Sequence, residues 1–325
     1  MNDVLKAIKS NIAAKRIKFD LKYRSKRDEQ ESIVIHKKHW AHQRGLYAFL
    51  HTIHAPERLP TELGGDSRLI RTRLNHWYLC VPHTKDLIHV SPSENQAERK
   101  GDQIPEGEVI ALDPGVRTFM TGYDPGGAVW EIGAADMQRI YRLCYTLDRL
   151  QSDWSDPTCR HRRRYRLRRA ARRIRLRIRR LVDECHKRLA KWLCENYRQV
   201  LLPKFEVSRM VKRGQRRLHS KTVRSMLTWS HFRFRQRLLH KAELYPSCQV
   251  ILCDEAYTSK TCGQCGYIHQ HLGGNKLFTC PSCGMVMDRD FNGSRNIWLR
   301  YLTLHKSQSV RGHAGVGASP LDLAD

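Results

Sequence analysis

The fold of this chain is decided by the stretch Tyr257–Ile297, which reads YTSKTCGQCGYIHQHLGGNKLFTCPSCGMVMDRDFNGSRNI. Two C-x2-C pairs stand in it, fourteen residues apart: Cys262 with Cys265, and Cys280 with Cys283. A glycine follows each pair (Gly266 and Gly284), which lets a tight knuckle turn its amides toward a thiolate. Because four thiolates in a closed tetrahedral set favour zinc and leave no open position for catalysis, the stretch predicts a zinc ribbon with a structural Zn²⁺ ion.

The composition indicates a basic globular protein. Its 325 residues include 59 Lys plus Arg against 32 Asp plus Glu, for a formal net charge of +27, and 40% of the residues are hydrophobic. Such a chain buries a core and still presents surplus positive charge, for which nucleic acid is the expected partner. With no apolar run of spanning length and no signal-peptide pattern at the start, we expect no membrane partner.

We interpret the eleven cysteines as four metal ligands and seven scattered thiols, a pattern that indicates a reducing compartment. We therefore expect a cytoplasmic or nucleoid-associated protein if the host is prokaryotic, and a nuclear one if it is eukaryotic. The oligomeric state stays open.

The first hundred residues give weak structural signals. A helix-like patch covers Trp40–His51, aromatic and branched residues predict a strand at Leu74–Val81, and Ser91–Gly107 is polar like a linker. We therefore expect a small N-terminal region that contains β-structure.

From residue 108 onward the patterns alternate between strand and helix. The predicted order is a buried strand Glu108–Gly115, a hairpin, helix over Ala135–Tyr197, strand Gln199–Leu202, helix Ser220–Leu244, strand Cys248–Cys253 and helix Asn292–Leu302. This alternation predicts an α/β, RNase H-like core with the four-cysteine zinc ribbon inserted and with long basic helices.

The long helix carries one apolar stripe, which we expect to pack on the core. Its members are Leu167, Ala171, Ile174, Ile178, Leu181, Cys185, Leu189 and Trp192. The other faces are basic, since thirteen of the twenty-one positions from Arg160 to Arg180 are arginine. So many arginines exceed the acidic neighbours available, and we expect them to bind nucleic-acid phosphates. The candidates are Arg160, Arg164, Arg168, Arg172, Arg175, Arg179, Arg213 and Arg217.

Three acidic residues at element ends are candidates for catalysis. Asp113 and Glu255 follow strands, and Asp290 opens a helix. Carboxylates from separate elements hold Mg²⁺ ions in enzymes that hydrolyse phosphodiesters. Acids in such places also cap helices or solvate turns, so the spacing alone leaves both interpretations open.

Three motifs together resemble the TnpB family of transposon-encoded nucleases and their Fanzor relatives, which are similar to compact type V CRISPR effectors. The motifs span Ala111–Arg117, Glu255–Gly266 and Asp288–Ile297. The resemblance implies an RNA-guided DNA endonuclease with a RuvC-like core, a guide RNA, a target DNA and catalytic Mg²⁺. The first family aspartate falls on Asp113 and the last on Asp290, which leaves Asp288 structural.

The sequence departs from the family pattern at the middle strand, where Pro203 stands in place of a glutamate. The form Pro-Lys-Phe-Glu resembles the Fanzor-like branch, in which the strand before the ribbon supplies the acid, here Glu255. Glu206 is the competing candidate. The N-terminal part matches the family only faintly, around Arg71–Pro82.

The resemblance divides the chain into five parts. We expect a reduced wedge-like recognition region at 1–107, the nuclease core with a helical insertion at 108–260, the zinc ribbon at 261–286, the end of the core at 287–303 and a disordered tail at 304–325.

Three functions remain in competition at this point. The first is a Mg²⁺-dependent, RNA-guided DNA endonuclease that uses Asp113, Glu255 and Asp290. The second is a nuclease-inactive RNA-guided DNA-binding protein, which Pro203 and the reduced N-terminus motivate. The third is a zinc-ribbon nucleic-acid-binding protein whose acids only solvate turns.

Overall fold

The computed structural model describes residues 2–14, 28, 30–41, 46–47, 57, 59–88, 108–212, 218–254, 256–273 and 275–313. The chain separates into two compact units, Met1–Lys85 and Asp86–Asp325. Among the described residues, no helix is both long and apolar enough to cross a bilayer.

The first unit contains a helix and a small antiparallel sheet. Its elements are α1 (Asn2–Ala13), β1 (Gln30–Ile35), β2 (Trp40–Ala41), β3 (Leu46–Tyr47), β4 (Ser67–Thr72) and β5 (Trp77–Cys80). The three longer strands pair in the order β1-β4-β5, and Ile35 and Leu63 are buried against one face. The strands β2 and β3 pair with each other. The sequence predicts a helix over Trp40–His51. That prediction is wrong at Trp40–Ala41 and Leu46–Tyr47, the parts of this range that the structure describes.

The second unit is built on a five-stranded mixed sheet. Its strands are β6 (Val109–Pro114), β7 (Met120–Tyr123), β8 (Val129–Ile132), β9 (Gln199–Pro203) and β10 (Gln249–Cys253), in the order β10-β9-β6-β7-β8. The pairs β6–β7 and β7–β8 are antiparallel, whereas β9 pairs in parallel with both β6 and β10. Three antiparallel strands (β6, β7 and β8), with the parallel strands β9 and β10 on the other side of β6, form the RNase H-like arrangement that the sequence predicts.

Two long helices lie in the connection between β8 and β9. They are α2 (Ala134–Ser155) and α3 (His161–Asn196). Most of the predicted stripe packs as expected: Ala171 is buried, and Ile178, Leu181, Cys185, Leu189 and Trp192 join the main core. Fully buried partners in that core include Ile110, Leu112, Phe119, Ile140, Leu193, Trp229 and Phe234. Burial of each such side chain stabilises the fold by roughly 2 kcal/mol.

The described residues between β9 and β10 include three helices. They are α4 (Val207–Met210), α5 (Ser220–Trp229) and α6 (His231–Ala242). The sequence predicts one helix over Ser220–Leu244, but Ser230 adopts a left-handed conformation with φ of 52° and separates α5 from α6. A left-handed residue cannot continue an α-helix, so the chain changes direction there.

The ribbon and the last helix complete the unit. The strands β11 (Leu277–Thr279) and β12 (Val286–Asp288) pair antiparallel, and α7 (Arg289–His313) follows at once. The helix begins earlier than the predicted Asn292 because Asp288 Oδ1 accepts a hydrogen bond of 2.9 Å from the Asp290 N–H. It also continues past Leu302, through ten residues of the stretch 304–325 predicted to be disordered, and residues 314–325 lie outside the described part.

Candidate active site and metal centre

The parallel strands end together at one edge of the five-stranded sheet. Asp113 is the penultimate residue of β6, and Pro203 and Cys253 are the last residues of β9 and β10. Pro203 and Cys253 are register partners, and the β6–β9 register, continued by two residues from Ala111 and Leu201, sets Asp113 level with Pro203. This carboxyl edge, where β6, β9 and β10 end, is the expected place for a ligand site in such a sheet.

Helix α7 brings its first turns against Asp113. A Cβ atom placed on Gly293 would lie 2.5 Å from Asp113 Oδ2, and Ser259 Oγ would be 3.9 Å away. Only a glycine allows the carboxylate so close to the helix backbone. Because Asp290 precedes Gly293 by three residues, both lie on the same side of α7. The fold thus brings the helix turn that carries Asp290 next to Asp113.

The two aspartates at the start of α7 have different environments. Asp288 caps the helix and its Oδ2 forms an ion pair of 3.2 Å with Lys276 Nζ, so its charge is compensated. Burial raises the pKa of the Asp290 carboxyl, and the neighbouring charge of Asp288 raises it further, while Arg289, Lys276 and Arg117 act in the opposite direction. A half-buried carboxyl of this kind is stabilised in its charged form by a bound cation.

The structure describes one of the two glutamate candidates. Glu206 precedes α4 and its Oε2 forms an exposed ion pair of 2.7 Å with Arg209 Nε. Glu255 lies outside the described residues, immediately after Asp254, whose Oδ2 accepts a hydrogen bond of 2.6 Å from Arg300 Nη2. The set Asp113, Glu255 and Asp290 therefore stays a prediction.

The four ribbon cysteines form a compact thiol cluster. All four sulfur atoms lie within 4.8 Å of one another: Cys262, Cys265, Cys280 and Cys283. The Sγ atoms are 3.7 Å apart between Cys262 and Cys283, and 3.6 Å apart between Cys265 and Cys280. A disulfide needs about 2 Å, whereas four sulfurs around zinc at about 2.3 Å are separated by roughly 3.8 Å. The cluster therefore fits a tetrahedral Zn²⁺ ion.

The knuckle turns have the geometry that the glycines predict. Gly266 and Gly284 adopt φ of 77° and 71°, and their N–H groups donate to the carbonyls of Cys262 and Cys280. Although burial raises it, hydrogen bonds from the backbone of Cys283 and Ser282 lower the pKa of the Cys280 thiol to about 7. Although a hydrogen bond from the Met285 backbone lowers it, burial and hydrogen bonds with the other three ribbon thiols raise the pKa of the Cys283 thiol, so Cys280 is the more readily ionised of the two.

Side chains from α7 hold the first knuckle in place, a contact that the sequence analysis missed. Asn292 Oδ1 accepts from the Gly263 N–H at 3.0 Å, and Arg295 Nη1 donates to the Gly263 carbonyl at 2.7 Å. Asn292 and Asn296 also donate to the Thr261 carbonyl, each at 2.7 Å. This helix–knuckle clamp, formed by Asn292, Arg295 and Asn296, joins the metal ribbon to the helix that carries Asp290. The signal available was the i, i+4 spacing of the two asparagines.

The arginine-rich face lies on α3. Arg160, Arg168, Arg175 and Arg179 are exposed, and Arg164 and Arg172 are half-buried. Within the described part of the chain, no carboxylate lies within 4.0 Å of any arginine from Arg160 to Arg177, while Arg175 stacks over the Trp154 ring at 5.7 Å. Arg213 and Arg217 lie outside the described residues. From Arg160 to Arg177 the face therefore keeps positive charge that no described carboxylate neutralises.

The fold and the thiol cluster define a RuvC-like core with an inserted zinc ribbon. The family model of the Cas12f1-like TNB domain matches residues 231–297, from the start of α6 to the helix–knuckle clamp. A putative transposase of Paramecium bursaria Chlorella virus 1 is 37% identical over 62% of this chain and 45% of its own length. A TnpB-like protein of Acanthamoeba polyphaga mimivirus is 29% identical over 59% of this chain and 37% of its own.

Similarity also extends to compact CRISPR nucleases. The CRISPR-associated endodeoxyribonuclease Cas12f1 of Sulfoacidibacillus thermotolerans is 35% identical over 27% of this chain and 21% of its own. A cryo-EM structure of a Cas12f1 complex with guide RNA and target DNA covers 72% of this chain and 57% of that one, at 15% identity and a TM-score of 0.43.

These matches confirm the resemblance to the TnpB family over the matched part of the chain. The chain spans less than half the length of the viral relatives described above.

Proposed function

We propose that this chain is a transposon-derived, RNA-guided DNA endonuclease that hydrolyses phosphodiester bonds with Mg²⁺. One observation carries the proposal: the Asp113 carboxylate lies against Gly293 of α7. Gly293 follows Asp290 by about one helical turn. In this proposal the carboxylates of Asp113 and Asp290 share the carboxyl edge of an RNase H-like sheet, where they would repel each other. Such a pairing is costly unless a cation neutralises it.

Each acidic residue has its own role in the proposal. Asp113, Asp290 and Glu255 would hold the metal, while Asp288 keeps α7 in place as its cap. Bound Mg²⁺ supplies activation of water and stabilisation of the leaving oxygen. The names of the relatives, two kinds of transposase-like protein and a CRISPR endodeoxyribonuclease, support DNA as the substrate.

The arginine face of α3 is proposed to bind the guide RNA. Phosphate contacts give affinity that does not depend on sequence. This suits a protein in which base pairing of the guide reads the target. The nuclease core is proposed to occupy residues 108–260 and 287–303, with the ribbon at 261–286 between them.

The test begins with the RNA that copurifies with the protein, since its sequence defines a complementary target. DNA that carries this target beside a randomised flank is then incubated with the complex and Mg²⁺. We expect cleavage that EDTA abolishes, and that both Asp113→Asn and Asp290→Asn abolish. Asp153→Asn, an exposed aspartate on α2, is the matched control and should cleave like the wild type. Cleavage by Asp113→Asn at the wild-type rate would refute the proposal.

A second candidate is a nuclease-inactive RNA-guided DNA-binding protein. Pro203 favours it, because a proline that cannot bind metal stands level with Asp113 at the carboxyl edge. Under this alternative the complex binds its target tightly, and no divalent metal produces cleavage. The same assay therefore separates the two functions.

A further inference from the structure

The first turn of α6 lies at the carboxyl edge of the sheet, beside the candidate active site. His231 packs against Phe205, with ring centroids 5.0 Å apart, and stacks on Phe119 at 5.1 Å. Phe119 belongs to the loop that follows Asp113, and its carbonyl accepts from the Gly115 N–H at 3.1 Å. The turn is thus attached both to the loop after β6 and to the loop after β9.

Three arginines of α6 differ in whether they pair with a described carboxylate. Arg233 and Arg237 both pair with Asp183, at 3.0 Å and 3.2 Å. Arg235 has no ion pair with any described residue and donates instead to the Lys204 carbonyl at 3.3 Å. Lys204 follows Pro203 directly, and its own N–H donates to the Cys253 carbonyl at 3.3 Å. The guanidinium that lacks a carboxylate is therefore the one at the carboxyl edge.

An exposed aromatic ring lies beside this guanidinium. The Arg235 guanidinium carbon is 5.0 Å from the centroid of the Phe232 ring, and Phe232 is 59% exposed. Single exposed aromatic residues are common on protein surfaces and need no explanation. Here the ring adjoins the Arg235 guanidinium, which has no ion pair with a described carboxylate, at the edge where Asp113 lies and where the exposed Lys204 follows β9.

We propose that Phe232, Arg235 and Lys204 form a platform that holds one unpaired nucleotide of the DNA strand entering the cleavage site. The base stacks on the exposed ring, and the adjoining phosphate binds the two cationic side chains. Ring stacking with nearby positive charge is the general mode by which proteins hold single-stranded nucleic acid. The proposal rests on the proposed function and adds which side chains would hold the strand beside the acids.

The test is a photo-crosslink, because we expect a chain with a charge of +27 to bind oligonucleotides at other places as well. The 325-residue chain is mixed, in a buffer without Mg²⁺ or chelator, with a twelve-residue oligodeoxythymidylate that carries one 5-iododeoxyuridine. The sample is then irradiated and the crosslinks are mapped by mass spectrometry. We expect a crosslink at Phe232 that Phe232→Leu removes, since leucine keeps the apolar bulk without the ring. Leu227→Ala, at an exposed apolar residue of α5, should leave the crosslink intact.

Affinity provides the second measurement. Replacement of the ring should weaken binding of this oligonucleotide about 5- to 100-fold in Phe232→Leu. Arg235→Gln should reduce the slope of log affinity against log salt by about one, whereas Arg188→Gln, at an exposed arginine paired with Glu184, should not.

The outcomes separate the platform from the proposed function. No crosslink at Phe232, together with unchanged affinity in Phe232→Leu, would overturn the platform even if the complex cleaves DNA. A stronger crosslink to the matching oligouridylate RNA would overturn its assignment to the DNA strand. Because the crosslink is measured without Mg²⁺, an inactive enzyme with an intact crosslink would refute cleavage and leave the platform standing.

Discussion

At the scale of single residues, Gly293 of α7 leaves no room for a Cβ atom beside Asp113. A Cβ atom there would stand 2.5 Å from Asp113 Oδ2 and 3.3 Å from its Cγ, so the carboxylate must turn away from an alanine. We expect Gly293→Ala to slow DNA cleavage at least about tenfold, the effect of a small misplacement at a catalytic group.

The stability of the same variant separates this effect from misfolding. Alanine is a better helix former than glycine by up to about 1 kcal/mol, so the melting temperature should stay equal or rise. Gly273→Ala is the matched control, since a Cβ atom at Gly273 meets nothing within 4 Å. A wild-type cleavage rate in Gly293→Ala would contradict the placement of Asp113.

Two buried histidines on either side of Phe119 make stability depend on pH. Burial lowers the pKa of His186 to about 4 and that of His231 to about 3. An unfolded histidine titrates near 6.5, so between that pH and 4 the unfolded chain binds protons that the folded chain does not. The stability they contribute is therefore present above pH 6.5 and is lost as the pH falls.

We expect the free energy of unfolding to be lower at pH 5 than at pH 7.5 by about 4 kcal/mol from these two groups. Each histidine contributes 1.36 kcal/mol per pH unit over the interval from about 6.5 down to 5. Chemical denaturation at both pH values measures it. His231→Phe should lose about half of this difference. An identical pH dependence in that variant would show that His231 is not buried in the neutral form.

At the scale of elements, the ribbon and α7 depend on each other through the helix–knuckle clamp. We expect the wild type to contain one zinc per chain and Cys280→Ser to lose it, because thiolate ligation supplies folding free energy that the short loop lacks. Hydrogen–deuterium exchange over Arg289–Ile297 should become faster in the variant. Cys80→Ser, at an exposed cysteine of β5, should change neither quantity. Unchanged exchange in zinc-free protein would contradict the coupling.

The arginine face of α3 should govern RNA affinity through phosphates. We expect the triple variant Arg168→Gln, Arg172→Gln, Arg175→Gln to bind RNA more weakly and to reduce the salt slope by up to about three, one for each lost phosphate contact. Filter binding over a series of salt concentrations measures this. A salt slope equal to that of the wild type would rule out a role for these three residues in RNA binding.

The elements that could be predicted are those with local signals. The buried run before Asp113 predicts β6, and the cysteine spacing predicts the knuckles. Ser230 could not be predicted, because a left-handed serine is set by packing and has no sequence signal. The short apolar patch at Trp40–His51 predicts a helix, but Trp40–Ala41 and Leu46–Tyr47 are strands, because such a patch fits either period.

The candidate site was predictable only in part. The places of Asp113 and Asp290 at element ends, together with the family resemblance, predict both as site residues, and their catalytic role stays a prediction. The clamp was missed, because polar residues on a helix usually face solvent, whereas Asn292 and Asn296 are buried against the first knuckle. Which face of α7 is buried is decided by tertiary packing.

At the scale of the whole molecule, the second unit combines three features that the proposed function needs. An RNase H-like sheet presents Asp113, a zinc ribbon holds the helix that carries Asp290, and α3 presents charge for a nucleic acid. The net charge of +27 predicts fast, salt-sensitive association with nucleic acid. The recognition role of residues 1–107 stays a proposal.

Cleavage by Glu255→Ala is the measurement that tests the central claim most directly. The RNA-bound complex, its target DNA and Mg²⁺ are used, with target affinity measured in parallel and Glu206→Ala as the matched control. We predict no detectable cleavage by Glu255→Ala with target affinity within about twofold of the wild type, since the lost carboxylate holds metal and not DNA. Glu206→Ala should cleave normally. Wild-type cleavage by Glu255→Ala, or its loss in Glu206→Ala alone, would contradict this account of the active site.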